Sequence, residues 1–225
     1  MDLVYFQLKK KYQILFLISF LLSFIYFVTL PWSFNSVDFI FKGGSIFIFS
    51  ILVLTALKKK VRFLLFFSFL FATVGDILLT FKFQNAFIFG LASFLIAHIF
   101  YIITYVFLRL NTNYYPDSKK WIISLLALYG IIYFLILRPN LGDLFPYVLA
   151  YMIVLMTMAC FAVTSQLNFF VGFGALLFVF SDSALAFKQF ITPFAMDDAM
   201  IWFSYYFGQL FIVYGFFSSR KTFLQ

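Results

Sequence analysis

The sequence predicts an all-α membrane protein, a polytopic bundle of eight transmembrane helices that forms one integral membrane domain over residues 1–225. Two observations predict it. First, 65% of the residues are hydrophobic and only 11% are charged, and a soluble domain of this size has no interior large enough for so much apolar surface. Second, apolar runs of about 20 residues, the length that spans a bilayer core, recur along the whole chain.

The eight apolar runs are separated by short polar breaks. We place the spans at about 12–30, 39–57, 63–81, 86–108, 119–137, 147–165, 169–187 and 197–218. The first run follows three lysines, as the apolar part of a signal peptide would. It is long, however, and no small-residue cleavage pattern follows it, so we expect an uncleaved helix.

Each break contains residues that a bilayer core disfavours. Pro31 ends the first span, and a basic cluster at 58–62 separates the second from the third. The polar segment 111–120 separates the fourth from the fifth, and the turn at 138–146 precedes the sixth. Pro193, followed by two aspartates, precedes the last span.

The distribution of Lys and Arg predicts the orientation. With eight spans and a cytoplasmic N-terminus, the inside segments carry most of the cations: Lys9, Lys10, Lys11, Lys58, Lys59, Lys60, Arg62, Arg109, Lys119, Lys120, Arg220 and Lys221. The outside segments carry Lys42, Lys82, Arg138 and Lys188. Because cytoplasmic loops are enriched in Lys and Arg, both termini are predicted to be cytoplasmic, in the inner membrane if the protein is bacterial.

Composition also excludes several classes of function. The formal net charge of +8 comes from short loops next to apolar runs, so it indicates contact with membrane lipids and no nucleic-acid partner. The chain has one histidine, His98, and one cysteine, Cys160, whereas a catalytic zinc site takes about three protein ligands. We therefore predict no metal and no other cofactor. The oligomeric state stays open.

Two aspartates lie well inside predicted spans, where a charge costs roughly 2.5–3.5 kcal/mol on insertion scales. Asp76 and Asp182 each lie about fourteen residues into a helix that runs outward, so both are expected ~20 Å from the cytoplasmic edge. The segments 76–82 and 182–188 share Asp, Leu, Phe and Lys at the same offsets. This match predicts a parallel repeat of four plus four helices, which would bring the two aspartates together across a central cavity.

Other polar side chains fall in the same spans. His98 has Tyr101 and Tyr105 at i+3 and i+7 on one helix face, which is typical either of a polar site or of hydrogen bonds that join helices. The last span carries Tyr205, Tyr206 and Gln209.

Several segments resemble the motifs of the YhhN-like lysoplasmalogenase family, and the resemblance runs from about 40 to 215. These segments are 74–79, 89–94 with Ala97, His98 and Tyr101, 146–148 with Tyr151 and Met156, 177–186, and Tyr205, Tyr206 and Gln209. One departure is that Gly43 and Gly44 follow Lys42, where the family pattern has Lys-Pro.

The resemblance implies a lipid hydrolase that cleaves the vinyl-ether bond of a lysophospholipid, releasing a fatty aldehyde and glycerophosphoethanolamine or glycerophosphocholine. Vinyl-ether hydrolysis needs a general acid and a nearby anion, and two carboxyl groups that share one proton provide both. Asp76 and Asp182 are accordingly the predicted catalytic pair. His98, Tyr101, Tyr151, Tyr205, Tyr206 and Gln209 are predicted to position substrate or water.

Three alternatives compete with this interpretation. A zinc-dependent amide hydrolase is disfavoured by the single histidine. An intramembrane aspartyl protease uses paired aspartates but requires Gly-x-Gly-Asp, and Thr73 occupies the position of the first glycine. A proton-coupled transporter of lipids or small molecules also suits paired membrane aspartates and a parallel repeat. Release of aldehyde by purified protein without a gradient would separate the enzyme from the transporter.

Overall fold

The computed structural model describes residues 10–30, 37–57, 59–81, 83–112 and 120–219. These residues form eight long helices: α1 (Lys10–Thr29), α2 (Asp38–Ala56), α3 (Lys59–Thr80), α4 (Ala86–Thr112), α5 (Lys120–Leu137), α6 (Phe145–Val163), α7 (Phe169–Phe190) and α8 (Asp197–Ser218). Each is long and apolar enough to cross a membrane, which confirms the predicted all-α, eight-span architecture. The helix α3 begins four residues before the predicted span, because Lys and Arg are good helix formers and the helix continues into the polar break.

Short polar signals define several helix ends. Pro146 lies in the first turn of α6, where its missing N–H costs no helical hydrogen bond. Asn168 precedes α7, and its side-chain oxygen accepts a hydrogen bond of 3.1 Å from the backbone N–H of Phe170. Asn85 has a positive φ of 66°, which turns the chain between α3 and α4. The turn at Asn85 keeps α3 and α4 as an adjacent antiparallel pair.

Six of the eight helices surround a common interior. Along this ring α2 packs on α3, α3 on α4, α4 on α6, α6 on α7 and α7 on α8, and α8 returns to α2. The helix α1 lies outside against α2 and α8, and α5 lies outside against α6. Consequently α8 is among the most buried spans, whereas α1 and α5 expose most of their surface to lipid.

Helices α7 and α8 approach each other closely at a pair of glycines. A Cβ atom added to Gly174 would lie 2.5 Å from the carbonyl oxygen of Gly208, so glycine at this crossing allows the two backbones to touch. This contact fixes the positions of the polar residues of α7 along the helix axis relative to those of α8.

The helix pairing is the one that a four-plus-four repeat would produce. In each half the first helix, α1 or α5, is peripheral, and the last two helices, α3 with α4 or α7 with α8, form an extensive pair. The halves meet where α4 packs on α6 and where α8 packs on α2 and α1. This pairing supports the repeat, which stays a prediction. Lys82, the last residue of the first motif, lies outside the described residues, as do Lys9, Pro31, Lys58, Lys119, Arg220 and Lys221.

Candidate active site

Asp76 and Asp182 line the same cavity inside the ring. The cavity has a volume of about 930 Å³ including its open mouth. Its wall combines polar and aromatic side chains: Tyr26, Lys42, Asp76, Leu79, Ala86, Phe87, Phe94, Ser181, Asp182, Leu185, Gln189, Asp198, Ile201, Trp202 and Tyr205. We call it the polar cavity. Neither aspartate faces lipid, since Asp76 is 1% exposed and the Asp182 side chain is 12% exposed.

Asp76 belongs to a chain of polar contacts that crosses the ring from α2 to α4. Its Oδ1 lies 3.7 Å from the Nζ of Lys42, and its Oδ2 accepts a 2.7 Å hydrogen bond from the Tyr205 hydroxyl. The Nε2 of Gln209 lies 3.4 Å from the Tyr205 hydroxyl, and the Oε1 of Gln209 accepts a 2.7 Å bond from the Tyr101 hydroxyl. Because these side chains are buried, the hydrogen bonds fix the orientation of the Asp76 carboxyl.

Asp182 has different partners. Its Oδ2 accepts a 2.5 Å hydrogen bond from the Tyr151 hydroxyl. The Nε2 of His98 lies 3.1 Å from that hydroxyl and 3.7 Å from the same Oδ2. His98 is fully buried, and its Nδ1 has no hydrogen-bond partner among the residues that the structure describes. Asp182 therefore has a tyrosine and a histidine beside it, whereas Asp76 has a tyrosine and a lysine.

A second cavity, of about 610 Å³, adjoins the polar cavity and is almost entirely apolar. We call it the apolar cavity. The residues that line it are Leu79, Phe87, Leu91, Phe94, Tyr133, Leu137, Val148, Tyr151, Met152, Leu155, Met156, Asp182, Ser183, Leu185, Ala186 and Phe190. Five residues line both cavities: Leu79, Phe87, Phe94, Asp182 and Leu185. Asp182 thus lies at the border between a polar and an apolar space, and Asp76 lies in the polar space.

The predicted positioning residues divide into three groups. Tyr205 and Tyr151 contact the aspartates directly, each also lining one of the cavities. Gln209 and Tyr101 reach Asp76 only through Tyr205, and His98 lies behind Asp182 and lines neither cavity. Tyr206 does not join the site. Its hydroxyl lies 3.1 Å from Ser19 Oγ on α1, because adjacent residues of a helix do not share a face.

Lys42 is the main site residue that sequence reasoning missed. It was assigned to an outside loop, yet it lies in the second turn of α2, its side chain is 15% exposed, and it lines the polar cavity. Its Nζ also lies 6.0 Å from the ring centroids of Tyr26 and Trp202. The available signal was its position inside the predicted span 39–57, since a lysine within a span usually has a partner.

In the described part of the chain, no three His, Cys or Asp side chains cluster as metal ligands.

The YhhN family profile matches residues 37–216. A human protein named lysoplasmalogenase TMEM86A is 26% identical over 167 residues, and the bovine protein of the same name is 25% identical over 167 residues. Each match covers 70% of this chain and 66% of the relative, so the matched region spans just under two thirds of these relatives. No solved structure matches the chain.

Proposed function

Because this chain belongs to the YhhN family, we propose that it is a membrane-embedded lipid hydrolase of the lysoplasmalogenase type, with Asp76 and Asp182 as its catalytic pair. The observation that carries the proposal is the position of both carboxyl groups on the polar cavity, with Asp182 also on the wall of the adjoining apolar cavity. A lysoplasmalogen has the same division, with its vinyl-ether bond where the polar glycerophospho-base meets the alkyl chain.

The charges around the cavity indicate how many protons the site holds. Lys42 compensates one negative charge, that of Asp76, at 3.7 Å. Among the described residues, Asp182 contacts Tyr151 and, at 3.7 Å, His98, and it pairs with no lysine or arginine. The proposed mechanism starts from an ion pair of Lys42 with Asp76 and from an Asp182 that holds the proton to be transferred. That state provides one acid and one base.

The first step of the proposed reaction takes place at the border of the two cavities. The carbon that accepts the proton is the β-carbon of the vinyl ether, on the alkyl-chain side of the bond. Asp182 borders the apolar cavity, so it is placed to donate its proton to this carbon. The Tyr151 hydroxyl holds Oδ2, which leaves Oδ1 to carry the proton. The products of this step are an oxocarbenium ion and the Asp182 carboxylate, which stabilises the cation.

The second step adds water from the polar side. Water attacks the oxygen-bound carbon of the cation, and the Asp76 carboxylate accepts one of its protons, which gives a neutral hemiacetal. The hemiacetal then breaks down. Asp76 returns its proton to the glycerol oxygen as the carbon–oxygen bond breaks, and the Asp182 carboxylate takes the proton of the hemiacetal hydroxyl. The products are a fatty aldehyde and a glycerophospho-base, and both carboxyl groups return to their starting states.

The experiment measures release of the glycerophospho-base, and of aldehyde or fatty acid, by purified protein in detergent, where no gradient exists. Three lysolipids with the same headgroup and chain length are compared: the vinyl ether, the saturated ether and the ester. The proposal expects cleavage of the vinyl ether alone, since a saturated ether has no carbon that accepts the proton. Cleavage of the ester at a similar rate would indicate acyl hydrolysis instead. Absence of hydrolysis, together with uptake of lipid into vesicles under a proton gradient, would favour the transporter.

Asp182→Asn tests the acid directly. The asparagine amide oxygen can still accept the Tyr151 hydrogen bond, so the packing is preserved while the transferable proton is lost. We expect turnover to fall about 10²–10⁴-fold, the usual contribution of a general acid, with an unchanged melting temperature. Near-normal turnover in this variant would exclude Asp182 as the acid.

A further inference from the structure

The apolar cavity continues into a third apolar space on the side away from Asp76. This space is a groove of about 1010 Å³ between the outer faces of α5 and α6, lined by Ile123, Ala127, Gly130, Ile131, Phe134, Leu135, Leu149, Met152, Ile153, Met156, Thr157 and Cys160. We call it the α5–α6 groove. Met152 and Met156 line both the groove and the apolar cavity. The polar cavity, the apolar cavity and the groove are therefore consecutive, and each shares wall residues with the next.

The boundary between the apolar cavity and the groove consists of flexible side chains. Met152, Met156 and Cys160 follow at intervals of four residues, so they lie on one face of α6 and cover about 12 Å of its length. Methionine is unbranched and adapts to irregular apolar partners, so a chain can pass it without a change in the backbone. On the opposite wall, Met156 packs directly on Gly130 of α5, since a Cβ there would lie 3.0 Å from the Met156 Cγ, so a passing chain displaces the flexible end of Met156.

We propose that the alkyl chain of the substrate runs from Asp182 through the apolar cavity, passes Met152 and Met156, and ends in the α5–α6 groove, which makes the site selective for lipids with one long chain. The inference rests on the proposed function, and it identifies the surface that binds the alkyl chain of the lipid. The residues that line the groove include no charged side chain. The groove faces the bilayer along α5, one of the helices with most lipid-exposed surface, so the aldehyde product leaves through it directly into lipid.

The test obstructs the groove without disturbing the core. Ala127 lines the groove and is exposed, so Ala127→Phe places a ring in the path of the chain. Ala150→Phe is the matched control, because Ala150 is also exposed to lipid but lines neither the apolar cavity nor the groove. The probes are saturated ether lysophosphatidylcholines with a decyl or an octadecyl chain, which cannot be hydrolysed by the proposed route. Binding is measured by titration of protein in nanodiscs at equal mole fractions of probe.

We expect Ala127→Phe to weaken octadecyl binding about tenfold, as for a bulky group forced into a filled apolar site, and to leave decyl binding within about twofold. Ala150→Phe should change neither. Cys160 gives a second readout because it is the single cysteine of the chain and it lines the groove. The octadecyl probe should slow alkylation of Cys160 in the wild-type protein, and the decyl probe should not.

The outcomes separate this inference from the proposed function. If the wild-type protein releases aldehyde but Ala127→Phe changes octadecyl binding no more than Ala150→Phe does, the chain does not occupy the groove and the inference is wrong. If no lysolipid releases aldehyde but the octadecyl effect and the Cys160 protection are both present, the groove binds the chain and the proposed hydrolysis is wrong. Equal protection of Cys160 by both probes would also overturn the inference, because Cys160 lies about 13 Å along α6 from Tyr151, beyond the end of a decyl chain that starts at Asp182.

Discussion

Lys42 and Asp76 should behave as a coupled pair, and a double-mutant cycle measures the coupling. The charged atoms are 3.7 Å apart, and the two side chains are 15% and 2% exposed. With an effective dielectric constant near 20, their attraction is about 4 kcal/mol. Lys42→Met removes the cation with little change in shape and leaves a buried carboxylate without a counter-charge, a change that typically costs about 3–5 kcal/mol.

For a domain of this size, each kcal/mol changes the melting temperature by about 2–4 °C, so Lys42→Met should lower it by about 10 °C. The double variant Lys42→Met/Asp76→Asn should recover most of this loss, since it removes both charges and the asparagine oxygen still accepts from Tyr205. Turnover should stay low in every variant that lacks Asp76. The assay is thermal unfolding and aldehyde release on the same detergent-purified samples.

Lys188→Met is the matched control for this cycle. Lys188 also forms ion pairs, at 2.9 Å with Asp197 and 2.7 Å with Asp198, and the three side chains are 27%, 12% and 64% exposed, respectively. The pair with Asp198 is a surface pair, and Asp197 also accepts hydrogen bonds from two backbone N–H groups, so the melting temperature should fall by no more than a few degrees. If the effects of Lys42→Met and Asp76→Asn simply add in the double variant, the two side chains do not form an ion pair and the charge argument fails.

Four further predictions follow from the site and the fold. Tyr151→Phe removes the hydroxyl that holds Asp182, so turnover should fall about 10–100-fold, whereas Tyr147→Phe, at an exposed position of α6, should leave it unchanged. Gly174→Ala should lower the melting temperature by several degrees, because the new Cβ would lie 2.5 Å from the carbonyl oxygen of Gly208, whereas Gly44→Ala, with its nearest atom at 3.5 Å, should be neutral. Activity should survive a chelator; inactivation by the chelator and recovery with zinc would contradict the acid–base scheme. A reporter fused after Gln225 should lie in the cytoplasm, and a periplasmic or luminal signal would contradict the charge-based topology.

The spans were predictable because a bilayer imposes a length and an apolar composition on every crossing helix. The described helix α8 coincides with the predicted span 197–218, and the other helices differ from prediction by a few residues at their ends. Those ends are less predictable because a helix can extend beyond the hydrocarbon core of the bilayer. In α4, for example, the helix continues past the predicted residue 108 to Thr112.

The composition of the site was less predictable than its location. Asp76 and Asp182 were found because a charged residue within a span is costly and therefore conspicuous. Lys42 is also a charged residue within a span, but it lies near the start of α2, where lysines also anchor helices at the membrane–water interface. Tyr205 and Tyr206 are equivalent in sequence, and only the packing of α8 determines which of them faces Asp76. Sequence patterns thus identify polar residues at membrane depth, whereas tertiary packing decides which of them meet.

The two aspartates occupy matching places in the chain but different electrostatic surroundings, and the predicted repeat explains how both can be true. The offset of 106 residues that aligns Asp76 with Asp182 also aligns α2 with α6, and it places Val148 at the position of Lys42. Lys42 lines the polar cavity, whereas Val148 lines the apolar cavity. The first half of the predicted repeat therefore has a cation beside its aspartate, and the second half has an apolar side chain at the corresponding position. The proposed acid and base must differ in charge at the start of each cycle, and the difference between Lys42 and Val148 gives the two aspartates different surroundings.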